Sequence, residues 1–165
     1  MKLDTLEKLY FSQLKDMHSA ESQVAAFLPR MIDAASAAPL KEALNKHLAE
    51  TRTHIDRVEQ LFDGADFSPR GNRCEATAGL IEEAKEVLAS DGDSRVKDAA
   101  IVCAVQKIEH YEIGTYGCIR AYAKLLGKDA DAKVIESTLR DEVTADESLS
   151  EMAEQWLNAF AMASN

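Results

Sequence analysis

The chain has 165 residues, 46% of them apolar, with 29 acids against 19 lysines and arginines for a formal net charge of −10 at pH 7. That length suits one domain with a core large enough to need neither a disulfide nor a structural metal. The charge argues against partners that require a basic face, nucleic acid and anionic membranes among them, and gives a mild attraction for cations.

Apolar residues recur at helical spacing throughout, and no stretch alternates like a strand. A first long helix is expected from Asp4 to about Ala35, with Asp4 as N-cap and Glu7 completing a capping box. Pro29 falls inside it, which predicts a kink or a disturbed turn. After a short turn at 36–38, Pro39 suits the first turn of a second helix running to about Asp63, where Gly64 is the stop signal. Gly64 to Asn72 reads as loop. Residues 73–89 form a shorter amphipathic helix, and Ser90 to Ser94 breaks it. A third long helix runs from about Arg95 to Leu126, ended by Gly127. A fourth runs from about Ala130 to Ala161. Two short turns imply two antiparallel hairpins, and the thirty-odd residues between them are long enough to travel the bundle length. This is an all-α four-helix bundle with one long crossover carrying an extra helix, the ferritin-like arrangement.

Each long helix carries polar residues in the middle of its apolar stripe. The first reads Tyr10, Leu14, Met17, Glu21, Val24, Leu28, Met31. The second reads Leu40, Leu44, His47, Thr51, His54, Val58, Leu61, with Glu50 one step aside. The third reads Ile101, Val105, Ile108, Glu112, Thr115, Ile119, Tyr122, Leu126, with Glu109 one step aside. The fourth reads Ile135, Leu139, Glu142, Asp146, Leu149, Ala153, Trp156, Phe160. Alternating steps of four and three keep such residues on one face.

The levels agree. Glu21 lies sixteen residues before the middle of the first turn and Glu50 thirteen after it. Glu112 lies sixteen before the middle of the second turn and Glu142 fourteen after it. At about 1.5 Å per residue each pair matches to within roughly one turn. A crossover that sets the second and third long helices parallel brings all four to one layer. Buried carboxylates must be paired, neutralised or bound to a cation. Glu21, Glu50, Glu109, Glu112, Glu142 and Asp146, with His54, therefore read as the ligands of two divalent metal ions. Oxygen donors with few nitrogens and no sulfur favour iron, with manganese next, over zinc or copper. Such a pair permits two-electron chemistry with oxygen or peroxide. His47 and His110 read as supporting or core residues. Tyr10, Tyr111, Tyr116 and Tyr122 read as core aromatics, one of them able to donate a hydrogen bond to a ligand. Glu7 and Asp98 also fit extrapolated seams, but near helix ends within reach of solvent.

Cys74, Cys103 and Cys118 are odd in number and contain no Cys-x-x-Cys pair. Cys103 and Cys118 lie about 22 Å apart along one expected helix, too far to bridge. Reduced thiols and a cytoplasmic location are expected. Met1 to Asp16 reads as neither signal peptide nor anchor, and no apolar run of about 18 residues is present.

The stretches Ser19-Ala20-Glu21-Ser22-Gln23, His47-Leu48-Ala49-Glu50-Thr51, Gly79-Leu80-Ile81-Glu82-Glu83-Ala84 and Ile108-Glu109-His110-Tyr111-Glu112-Ile113 closely resemble the YciF-type bacterial stress proteins, in order and spacing, over nearly the whole chain. The resemblance implies a ferritin-like fold, kinship with rubrerythrin, a homodimer and a role in stress responses. Rubrerythrin's helical carboxylate pattern matches Glu21, Glu50, Glu109, Glu112 and Glu142, with Asp146 where that family has histidine. Its four-cysteine iron module is missing, so electrons must come from an external reductant or from the iron itself. Three functions remain open: a dinuclear oxidoreductase acting on peroxide or oxygen, an iron-binding or sequestering protein, and a structural dimeric protein.

Overall fold

The computed structural model describes residues 4–71 and 73–163; Asn72, at the end of the expected loop, lies outside them. The described residues form helices and connecting segments only: α1 (Leu6–Ala34), α2 (Ala38–Gln60), α3 (Glu75–Ala89), α4 (Ser94–Leu125), α5 (Asp129–Met152), a π-helical turn (Ala153–Leu157) and α6 (Asn158–Met162). The expected helices are therefore present, and the all-α bundle stands.

The helix ends obey local chemistry. Thr5, not Asp4, caps α1: its side-chain oxygen accepts from the Lys8 N–H at 3.2 Å, while Asp4 pairs with the Lys8 ammonium at 2.7 Å. α1 passes through Pro29 without interruption, where a disturbed turn was expected. α4 ends in a Schellman motif. Gly127 takes φ 70°, its N–H donates to the Lys124 carbonyl, and the Lys128 N–H donates to the Ala123 carbonyl. A residue bearing Cβ is strained in that left-handed conformation, which is why glycine stands there.

α1 packs on α2, α4 on α5, α1 on α4 and α2 on α5, closing a four-sided bundle with α3 laid against α1 and α4. The start of α1 meets the start of α5, where the Tyr10 hydroxyl donates to Asp131 at 2.9 Å. The turn after α1 meets the start of α4, where Asp98 accepts from Ser36 and Ala37. α2 and α4 thus run parallel, as the long crossover requires.

Two apolar clusters fill the bundle, one toward each end. One gathers Val24, Leu28, Leu44, Ile101, Val105 and Ile108. The other gathers Tyr10, Leu14, Met17, Val58, Tyr116 and Ile135. Each fully buried leucine or isoleucine contributes roughly 1.5–3 kcal/mol. The fourth long helix departs from its expected seam near the C-terminus. The π-helical turn is wound i→i+5 and shifts the register of the residues beyond it. Leu157 becomes the buried residue, Trp156 is half-buried, and Phe160, expected inward, is 55% exposed.

Candidate metal centre

Between the two apolar clusters lies a polar layer. On α1, Glu21 sits between Met17 of one cluster and Val24 of the other; on α4, Glu109 and Glu112 sit between Ile108 and Tyr116. On α5, Glu142 sits between Ile135 and Leu149, and α2 turns His47, Thr51 and His54 inward at steps of four and three. Six side chains, Glu21, His47, His54, Glu109, Glu112 and Glu142, form two groups. One ligand atom each from His47, Glu109, Glu112 and Glu142 lie within 4.8 Å of one another, and the same holds for Glu21, His54 and Glu142. Glu142 belongs to both groups.

The contacts inside the layer are close but wrongly angled for hydrogen bonds. His47 Nε2 is 2.8 Å from Glu109 Oε1, and His54 Nδ1 is 2.8 Å from Glu142 Oε1 and 3.5 Å from Glu21 Oε1. Yet neither nitrogen has a hydrogen-bond partner, nor has either oxygen of Glu109, Glu112 or Glu142, nor Glu21 Oε2. Among the described residues, every fully buried side-chain nitrogen or oxygen without a partner belongs to these six side chains. Leaving one such group unsatisfied costs about 1–3 kcal/mol, more if charged. Lone pairs that approach within bonding range without addressing each other are what ligands of a common cation look like, so the donor set fits a divalent metal ion.

Protonation is the other way to relieve the layer. Burial, then the repulsion of Glu21 and Asp146, pushes Glu109 up to about 8, against the opposing effect of Glu142. Burial takes Glu142 to about 7, resisted by His54 and reinforced by Glu109. Glu112 is raised well above the usual range by burial and by Glu21, Glu142 and Glu109; Glu21 is raised by burial despite His54. Burial would lower His54, but Glu142 and Glu21 beside it outweigh that and carry it to about 10.

Neighbours fix the orientation of two of these groups. The Tyr116 hydroxyl donates to Glu21 Oε1 at 2.6 Å, which is the tyrosine donor expected. His54 Nε2 stands 3.4 Å from Asp141 Oδ2, and Arg57 donates to that same oxygen at 2.6 Å. Burial opposes it, but the Arg57 guanidinium holds the Asp141 carboxyl below its ordinary range. A carboxylate facing Nε2 keeps a proton there, so Nδ1 is the nitrogen that faces the layer and would bind a cation once its own proton is displaced.

Of the expected ligands, the structure brings together Glu21, His54, Glu109, Glu112 and Glu142. It does not bring in Glu50 or Asp146. Glu50 lies on the flank of α2, 26% exposed, paired with Lys46 at 2.9 Å. The inward row of α5 runs Ile135, Thr138, Glu142, Ala145, Leu149. Asp146 therefore stands a step to the side, accepting from Gln106 at 3.1 Å and lying 3.2 Å from exposed His110. His47 joins the layer instead. Its signal in the sequence is the seven-residue interval to His54, two turns on one face.

The chain matches the family model described as "Domain of unknown function (DUF892)" over residues 5–162. It is 37% identical over 154 residues to protein YciF of Escherichia coli K12, covering 93% of each. The crystal structure of that E. coli stress protein superposes with a TM-score of 0.90 at 36% identity, covering 94% of this chain and 98% of the other. YcfI of Rhodopseudomonas palustris gives a TM-score of 0.87 at 38% identity, covering 90% and 95%. A protein from Xanthomonas campestris pv. campestris shares the fold at 19% identity, with a TM-score of 0.78 over 96% and 98%. A helical bundle with this sequence and this superposition belongs to the DUF892 family, alongside YciF.

Proposed function

We propose that this protein is a stress-response protein holding two divalent metal ions, iron first and manganese second, that reacts with peroxide or oxygen. The single observation behind this reading is the set of buried, close-packed carboxylate and imidazole atoms without hydrogen-bond partners, centred on Glu142. Glu21 and His54 would hold one ion, His47, Glu109 and Glu112 the other, and Glu142 would bridge them. An oxygen-rich set with two nitrogens and no sulfur suits iron and manganese. Such ions, when bound, supply the electrons that reduce a peroxide or oxygen molecule.

The chain's own part is positioning and shielding. Tyr116 fixes one oxygen of Glu21, and Asp141 with Arg57 fixes the tautomer of His54. The apolar clusters above and below exclude bulk water from the layer. The cysteines are free, one buried and two exposed, and offer no second iron module, so an external reductant is part of the proposal. The stress role rests on kinship with YciF, which is described as a stress protein. A homodimer and a cytoplasmic location complete the reading; among the described residues no helix is long and apolar enough to cross a membrane.

Elemental analysis of protein purified without chelator tests this. Two ions per chain are expected, lost in Glu142→Ala. Traces of iron and manganese that Glu142→Ala leaves unchanged would refute it. Sustained peroxide consumption with an added reductant separates an oxidoreductase from a protein that holds metal without turnover, which stops after one cycle.

A further inference from the structure

The polar layer is closed on almost every side. Glu21, His54, Glu109, Glu112 and Glu142 are 0% exposed, and His47 alone of the six keeps any contact with solvent, at 4%. It does so between α2 and α5, where a cavity of about 30 Å³ is lined by Ala43, Lys46, His47, Ala145 and Ser148 among others. That is room for about one water molecule. Three of these five side chains are small, and the buried Leu44 and Leu149 complete the lining. His47 forms the inner wall, buried and with both ring nitrogens lacking a hydrogen-bond partner. Lys46, part of the lining, pairs with Glu50 at 2.9 Å, which balances its charge.

We infer that this opening is the portal through which divalent cations reach the layer, with His47 the first ligand they meet. The inference rests on the metal-binding reading and adds the route. A cavity with room for about one water molecule admits a cation only as it exchanges its water shell for protein donors, and the His47 imidazole in its lining supplies the first. Ala43, Ala145 and Ser148 set the aperture, and the Lys46 side chain partly covers the mouth. The remaining members of the layer are loaded from His47 inward, through Glu109 to the shared Glu142.

Cobalt(II) uptake by the metal-free full chain, followed by stopped-flow absorption, tests the route. Ser148→Leu and Ala43→Leu are expected to slow uptake about tenfold, a barrier increase of about 1.4 kcal/mol, while the final cobalt content stays at the wild-type value. Lys46→Ala, at a position 63% exposed, is expected to speed uptake severalfold. Ser148 is exposed, so its replacement does not disturb the core. Wild-type uptake rates in Ser148→Leu and Lys46→Ala, with full cobalt content, would overturn the portal and leave the metal centre standing. No cobalt or iron bound by the wild-type chain at equilibrium would overturn both.

Discussion

Asp98 and Glu112 are both buried acids on α4, and they could hardly differ more in circumstance. Asp98 is 2% exposed and accepts three hydrogen bonds, from the Ser36 N–H at 2.7 Å, the Ser36 hydroxyl at 2.6 Å and the Ala37 N–H at 2.9 Å. It ties the start of α2 to the start of α4, satisfying backbone donors that a helix N-terminus leaves free. Glu112 is fully buried, and neither of its oxygens has a partner. Burial of an acid is thus no signal for metal by itself. The signal is burial with hydrogen bonds left unmade, and among the described residues it is confined to the central layer.

The largest effect that separates the two regions is linkage to metal. An ion present at about a hundredfold excess over its dissociation constant adds about 2.7 kcal/mol, so two add about 5. Thermal melts with and without iron or manganese should show this rise in the wild type and in Asp98→Ala, and not in Glu142→Ala. Equal rises in all three would erase the distinction. Next in size, Asp98→Ala itself should lower stability by about 3 kcal/mol, because it strands three donors at a packed turn. A loss under about 1 kcal/mol in urea unfolding would mean that solvent reaches this turn.

Glu112→Leu should act in the opposite direction. In metal-free protein it is expected to raise stability by about 1–2 kcal/mol, since an apolar side chain replaces an uncompensated acid. Destabilisation there would show that Glu112 is satisfied after all.

The smallest and broadest effect is pH dependence in metal-free protein. Glu109 and Glu142 are raised from 4.5 in the unfolded chain to about 8 and about 7 in the folded one. The native state therefore holds more protons than the unfolded state between these limits. Stability is fully present below about pH 4.5 and is lost as pH rises through about 7 and 8. His54, raised to about 10, pushes in the same direction above pH 6.5. Saturating metal should abolish the decline, because bound cations take the place of those protons. A stability that rises from about pH 5 to about pH 8 without metal would contradict the layer's electrostatics.

Much of the fold is legible in the sequence because it is local. Turn residues and 3.6-residue periodicity locate each helix to within a few positions, and the interrupted apolar stripes locate the layer. The structure departs from the sequence reading at a few positions. Asp146 lies one step from the inward row of α5, about 100° around the axis, an error that a stripe drawn at steps of three and four tolerates. Glu50 and Glu109 both read as one step aside of their stripes, and only packing turned Glu109 inward and left Glu50 on the flank. His47 reads as a supporting residue in the sequence because a histidine on an apolar face has two readings until its neighbours are known. Asp98 reads as solvated at a helix end, since nothing along the chain announces a turn 61 residues away in need of an acceptor. The π-helical turn at Ala153–Leu157 moves Phe160 out and Leu157 in, and nothing in the sequence pattern flags that shift.

Helix number, hairpin pairing, the parallel setting of α2 and α4 and the presence of acids at one level come from the order of residues alone, because short turns and helical period act over a few residues. Which acid faces which, that Glu142 stands at the junction of two groups, and that Asp98 is satisfied while Glu112 is not were decided only in the folded bundle. Each depends on how far every helix is rotated about its own axis. Packing between helices sets that rotation, and no stretch of chain encodes it by itself.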